Sequence, residues 1–140
     1  MTMKRLIVLL CLFCVTHLVN AAISEKQMKA TKKLVRNTCI NKSKIPIEDV
    51  DAMQQGDFSK GGCYLLCILE TYKVIKGNDY DWEGAVAAIK ANAPTNIAED
   101  AIKAVVACKD SMKTKSDKCI GAAEIGKCVY DFAPEKYFLP

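Results

Sequence analysis

The side chains of this sequence best equipped for chemistry are its cysteines: Cys11 and Cys14 in an apolar N-terminal stretch, and Cys39, Cys63, Cys67, Cys108, Cys119 and Cys128 beyond it. In an oxidising compartment thiols pair as disulfides, and an even set of six can pair completely. Complete pairing leaves no thiolate to act as nucleophile or metal ligand. The single histidine, His17, shares the stretch of Cys11 and Cys14. If that stretch leaves on export, no histidine general base or zinc ligand remains. Two carboxylates could still do acid and base work. The densest set, Glu48, Asp49 and Asp51, reads as a solvated face, because charged side chains are ordinarily exposed. No enzyme is expected, and no catalytic residue, cofactor or metal.

The N-terminal stretch has the parts of a signal peptide. Lys4 and Arg5 make a positive start, Leu6 to Val15 is an uncharged apolar run, and Val19-Asn20-Ala21 offers small residues for cleavage. Residues 1–21 are therefore expected to be removed, leaving a secreted, extracellular domain over residues 22–140. The apolar run is short of the roughly 20 residues that a membrane span needs, and no second hydrophobic stretch follows. Removal takes two bases and no acid, leaving 18 Lys and Arg against 16 Asp and Glu, a net charge of +2. The charges are interspersed, so neither a nucleic-acid stripe nor a polybasic membrane patch is present.

Helix signals recur along the remainder and strand signals do not, which predicts an all-α fold. Ser24 with Gln27 forms a capping box for a first helix ending near Thr38 or Cys39, and Asn41 to Lys44 is a polar break. Pro46 suits the start of a short helix through Met53, which Gly56-Asp57 ends. Leu65, Ile68, Leu69, Tyr72 and Ile75 trace one side of a helix from about Gly62 to Lys76, carrying Cys63 and Cys67 one turn apart. After a turn at Gly77-Asn78, Asp81 caps a helix with Trp82, Val86 and Ile89 on one face. Asn96 opens a stripe of Ile97, Ala101, Val105, Cys108 and Met112, and Ser116 or Asp117 starts a last helix holding Cys119, Cys128 and Phe132.

Helix geometry limits how the cysteines can be used. A bridge between Cys63 and Cys67 within one turn would crosslink almost nothing, so each should reach a different element. Cys119 and Cys128, nine apart, lie on opposite sides of their helix at about 100° per residue. Fifteen connectivities remain open for six cysteines.

Intervals of 23, 3, 40, 10 and 8 residues between successive cysteines, on helices behind a signal peptide, resemble the six-cysteine insect odorant-binding protein family, which includes pheromone-binding members. Gly56-Asp57-Phe58 ahead of Cys63-Tyr64-Leu65-Leu66-Cys67 is similar to sequence common in that family, and the likeness runs the length of residues 22–140. It implies a compact bundle of about six helices, with Cys39 paired to Cys67, Cys63 to Cys119 and Cys108 to Cys128 around an apolar cavity. A cavity forfeits packing, which crosslinks can offset.

Given such a cavity, the inward helical faces nominate Met53, Leu65, Leu69, Tyr72, Trp82, Val86, Ile89, Val105, Met112 and Phe132 as its lining. The apolar tail of Tyr137, Phe138 and Leu139 is too short for a helix and gains by burial, so it is expected to fold back as a lid or onto an external groove. Some members of the resembled family release ligand through histidines as pH falls. None remains here, so pH dependence should be weak between about pH 5 and 8, with any acid response left to Asp57, Glu124, Asp131 or the terminal carboxylate. Asn41-Lys42-Ser43 is an N-glycosylation sequon in the expected polar break.

The function implied is a secreted carrier that reversibly encloses a small hydrophobic molecule and delivers it to a chemosensory receptor, in sensillar lymph if olfactory. The chain would act as a monomer or weak homodimer, without nucleic acid or membrane insertion. The alternative is a secreted salivary, venom or seminal interaction protein that sequesters ligands or contacts proteins on the same scaffold. A small lipase would need a histidine base or a calcium loop, and neither is present beyond residue 21.

Overall fold

The computed structural model describes residues 25–140. The residues read as a signal peptide, with Cys11, Cys14, His17 and the capping Ser24, lie outside the described residues. Six helices follow in order: α1 Glu25–Ser43, α2 Ile47–Gln54, α3 Gly62–Thr71, α4 Trp82–Asn92, α5 Thr95–Ala107 and α6 Lys118–Phe132. A two-stranded ribbon, β1 Ile75–Lys76 and β2 Asp79–Tyr80, lies between α3 and α4, and a 3₁₀ turn over Pro134–Lys136 leads into the tail. The fold is the expected all-α bundle with one small addition.

The departures from expectation lie at helix ends. α1 runs through Asn41 to Ser43, because the polar residues expected to break it stay on its exposed last turn; Lys44 then adopts φ 57°. α3 stops at Thr71 instead of Lys76. Lys73 takes the left-handed conformation at φ 58°, the Val74 N–H returns to the Leu69 carbonyl, and the Lys73 N–H returns to that of Glu70. That pair of bonds is a Schellman motif with lysine in the position usually held by glycine. Residues 72–76 are freed by it, and the last two form β1, in which Ile75 faces Tyr80 of β2 across an antiparallel pair. Gly77, at φ 62°, turns the ribbon at the position where type II′ hairpins require a positive φ. The cap assignments at Asp81 and Asp117 do appear: Asp81 accepts from Gly84 N, and Asp117 accepts from Cys119 N and Ile120 N.

Two apolar clusters organise the interior. The first joins Val35 and Cys39 of α1, Val50 and Met53 of α2, Phe58, the buried face of α3 and Ala122 of α6. The second joins Val74, Ala85 and Val105, with Tyr80, Trp82, Val86 and Ile89 packed against it. Leu69 packs against both clusters. The largest helix contact is between α3 and α6, which a Cβ at Gly62 would break by overlapping the Cys119 carbonyl.

The disulfides join elements and not turns. Cys39 in α1 bonds Cys67 in α3, Cys63 in α3 bonds Cys119 in α6, and Cys108 at the end of α5 bonds Cys128 in α6. These are the pairs that the family resemblance implies. The opposite faces of α6 are thereby tied to α3 and to α5.

Candidate ligand-binding cavity

Where the two clusters meet, the helices and the tail line a partly open cavity of about 530 Å³. Seven segments supply its wall. α1 contributes Met28, Thr31 and Lys32; α3 and its cap contribute Leu65, Ile68, Leu69 and Tyr72; Val74 and Tyr80 enter from the ribbon. Ala85, Ala88, Ile89 and Asn92 of α4 face Ile97 and Val105 of α5, while Ala122, Ile125, Gly126 and Val129 of α6 complete the helical part. Tyr137, Phe138, Leu139 and Pro140 supply the rest.

The small residues of this wall have a physical role. Gly126 lets α6 approach Leu65 and Phe58, because a Cβ there would lie 2.7 Å from Leu65 Cδ1 and 3.0 Å from Phe58 Cε1. Ala85, Ala88 and Ala122 leave volume that larger side chains would fill.

Of the residues nominated by sequence, Leu65, Leu69, Tyr72, Ile89, Val105, Tyr137, Phe138 and Leu139 line the cavity, and five do not. Met53 is fully buried in the first cluster, where it fills the space above Gly61; α2 contributes nothing to the wall. Met112 lies beyond the end of α5 and packs instead beside Gly121 of α6. Trp82 and Val86 pack against the second cluster from outside the cavity. Phe132, at the last turn of α6, is 46% exposed. Asn41 sits on the exposed last turn of α1, not in a loop.

The missed wall of α1 carried a readable signal. Met28, Lys32, Val35 and Cys39 recur at four, three and four, the same rhythm as the stripe of α5. The lysine in that stripe hides it from a search for apolar positions.

The tail is fixed by polar and aromatic contacts together. Tyr64 Oη donates to the Pro140 oxygen at 2.9 Å, Arg36 Nη1 donates to the same atom at 3.2 Å, and Leu139 N–H donates to Gln54 Oε1 at 3.2 Å. Tyr137 closes a ring cluster, edge to face with Phe58 at 5.8 Å and with Tyr130 at 5.4 Å. Lys32 Nζ lies 3.5 Å from the centre of the Phe138 ring. Lys136 pairs with Asp100 of α5 at 2.6 Å. The tail is thus part of the wall and not an external strap.

The wall is apolar apart from a few placed groups. Burial pushes the Tyr80 hydroxyl up to about 12, with Asp81 adding to the shift, and burial raises Tyr137 as well. Both remain neutral hydroxyls at physiological pH. The acids near α2 serve as surface partners: Asp51 pairs with Arg36 at 3.4 Å and Asp49 with Lys60 at 3.8 Å. Among the described residues no group of three or more histidine, cysteine or carboxylate side chains could hold a metal. No helix among them is long and apolar enough to cross a membrane.

A model of the PBP/GOBP family matches residues 21–131 of this chain. The chain belongs to the PBP/GOBP family. It is 27% identical over 120 residues to general odorant-binding protein 72 of Anopheles gambiae, covering 84% of this chain and 99% of that protein. The crystal structure of odorant binding protein 4 from the predator Chrysopa pallens superposes with a TM-score of 0.75 at 34% identity, over 84% of this chain and 98% of that one. Odorant binding protein 5 of Apis mellifera superposes with a TM-score of 0.77 at 27% identity, over 86% and 100%. PBP/GOBP membership makes the chain a carrier of hydrophobic ligands and not an enzyme.

Proposed function

We propose that this PBP/GOBP-family chain is a secreted carrier that buries one small hydrophobic molecule in the cavity and delivers it to a chemosensory receptor. One observation carries the reading: an apolar space of about 530 Å³, walled by five of the six helices and by the chain's own tail. That volume falls within the roughly 300–1,000 Å³ of small-molecule sites. Leu65, Leu69, Ile89 and Val105 would supply apolar contact, Tyr137, Phe138 and Leu139 would cover the ligand, and the Tyr72 and Tyr80 hydroxyls would orient a polar end.

Binding of this kind needs no catalytic group. Each buried CH₂ contributes about 0.8 kcal/mol, so an aliphatic chain reaches micromolar affinity after association costs. The direct test is displacement of a hydrophobic fluorophore by alcohols, esters and aldehydes. Saturable uptake and competitive displacement are expected. Failure to take up any such molecule, together with expression confined to a gland, would instead favour a secreted interaction protein on this scaffold.

A further inference from the structure

The cavity contains one feature that an indifferent apolar container does not need. Among the described residues Lys32 is the only cationic side chain in its wall, and it interrupts the otherwise apolar stripe of α1. It has no carboxylate partner among the described residues; its ammonium faces the ring of Phe138 at 3.5 Å. Two other cations of α1 are already committed. Arg36, one turn further along α1, is held by Asp51 and the Pro140 oxygen, and Lys42 pairs with Glu70. α1 itself carries Lys26, Lys29, Lys32, Lys33, Arg36 and Lys42 against Glu25 as its only acid, so the potential on this side of the cavity is positive.

We propose that Lys32 is a head-group residue, and that the preferred ligands are hydrophobic molecules ending in a carboxylate. The inference rests on the carrier reading above and adds the chemical class of the ligand. An ammonium partly withdrawn from water and lacking a counter-charge gains most from an anion, which accepts a charge-assisted hydrogen bond stronger than a neutral one. Partial burial lowers the pKa of Lys32, as withdrawal from water without an acidic partner requires. The aromatic face of Phe138 solvates the cation without neutralising it, leaving its N–H groups free to donate to a ligand. The apolar chain would then run inward between Leu69 and Ile89, with its carboxylate at the α1 wall beneath the tail.

The experiment compares dodecanoate, methyl dodecanoate and dodecanol as displacers of one hydrophobic fluorophore at neutral pH and low salt. It uses the wild type, Lys32→Gln and Lys32→Arg, and it reads the affinity of the acid relative to the alcohol. The wild type should favour dodecanoate by about tenfold, the worth of one charge-assisted bond. Lys32→Gln should bring the ratio close to one, Lys32→Arg should preserve it, and added salt should shrink it. A wild type that binds dodecanol as well as dodecanoate overturns the head-group inference and leaves the carrier reading intact. A preference that survives Lys32→Gln also overturns it, since Lys32 would then only anchor the tail. Binding of none of the three overturns both readings.

Discussion

Tyr64 donates its hydroxyl proton to the Pro140 oxygen across 2.9 Å, joining the buried centre of α3 to a residue 76 positions away. Tyr64 is itself fully buried, and its partly buried bond holds the tail at the cavity wall. With the neighbouring bonds from Arg36 and Gln54, it ties residues 139–140 to α1, α2 and α3 together.

Tyr64→Phe removes that hydroxyl and keeps the ring. A partly buried hydrogen bond contributes about 1 kcal/mol, so ligand should leave roughly fivefold faster in a stopped-flow release experiment. Deleting residues 135–140 removes Tyr137, Phe138 and Leu139 from the wall and should weaken equilibrium affinity as well. An unchanged release rate in both variants would show that the tail does not retain ligand.

Met53 and Leu69 separate stability from binding. Met53→Ala empties a fully buried site outside the cavity and should destabilise folding by about 2–5 kcal/mol while leaving ligand affinity within about twofold. Leu69→Ala enlarges the cavity itself and should alter which ligand sizes bind. Urea unfolding paired with fluorophore displacement measures both, and a large affinity loss in Met53→Ala would contradict the position of the wall.

Gly62 lies where α3 packs closely on α6, and an added Cβ there meets backbone and not a side chain that could move aside. Gly62→Ala should therefore cost about 1–3 kcal/mol, although alanine favours helix over glycine. A stability gain on urea unfolding would contradict that packing.

The bridges should differ in worth with the loops they close. Cys63–Cys119 spans 56 residues and Cys108–Cys128 spans 20, so the chain-entropy model gives about 4 and 3 kcal/mol. Replacing each pair with alanine and comparing denaturant midpoints tests the order. Equal losses would mean that chain entropy does not govern their contribution.

Acid sensitivity should be confined to low pH. Hydrogen bonds from Thr114 and Lys113 hold the Glu124 carboxyl below its ordinary value, and those from Ser59 hold Asp57 lower in the same way. A depressed folded pKa stabilises the fold above the unfolded value, and the contribution disappears as pH falls through the folded one. Stability and affinity should stay level between about pH 5 and 8 and stability should decline below about pH 4. The buried Tyr80 acts oppositely: its pKa, raised to about 12, stabilises the fold fully below about 10 and ceases to do so as pH climbs through 12. Thermal melts across the pH range check both limits, and a steep loss near pH 6 would contradict the first.

The order of the helices could be read from Pro46, Asp81 and Asp117, because caps and breakers act locally. The ends at Lys44 and Lys73 could not, since a lysine with positive φ carries no mark in its residue type. Helical periodicity placed Leu65, Leu69, Ile89 and Val105 inward but could not distinguish them from Met53 or Met112. An inward face meets a cavity or a neighbour according to tertiary packing, which separates the wall at Leu69 from the core at Met53. Lys32 was hidden for another reason: hydrophobic pattern discounts a charge, and the value of this one depends on Phe138, 106 residues away.

The proposed binding site is the space between the two apolar clusters. A crystal structure of the protein with dodecanol near neutral pH tests it most directly. One alcohol chain is expected inside the cavity, against Leu69, Ile89 and Val105, with Tyr137 and Leu139 closed over it. Ligand bound on the outer surface, with the cavity collapsed or empty, would contradict it.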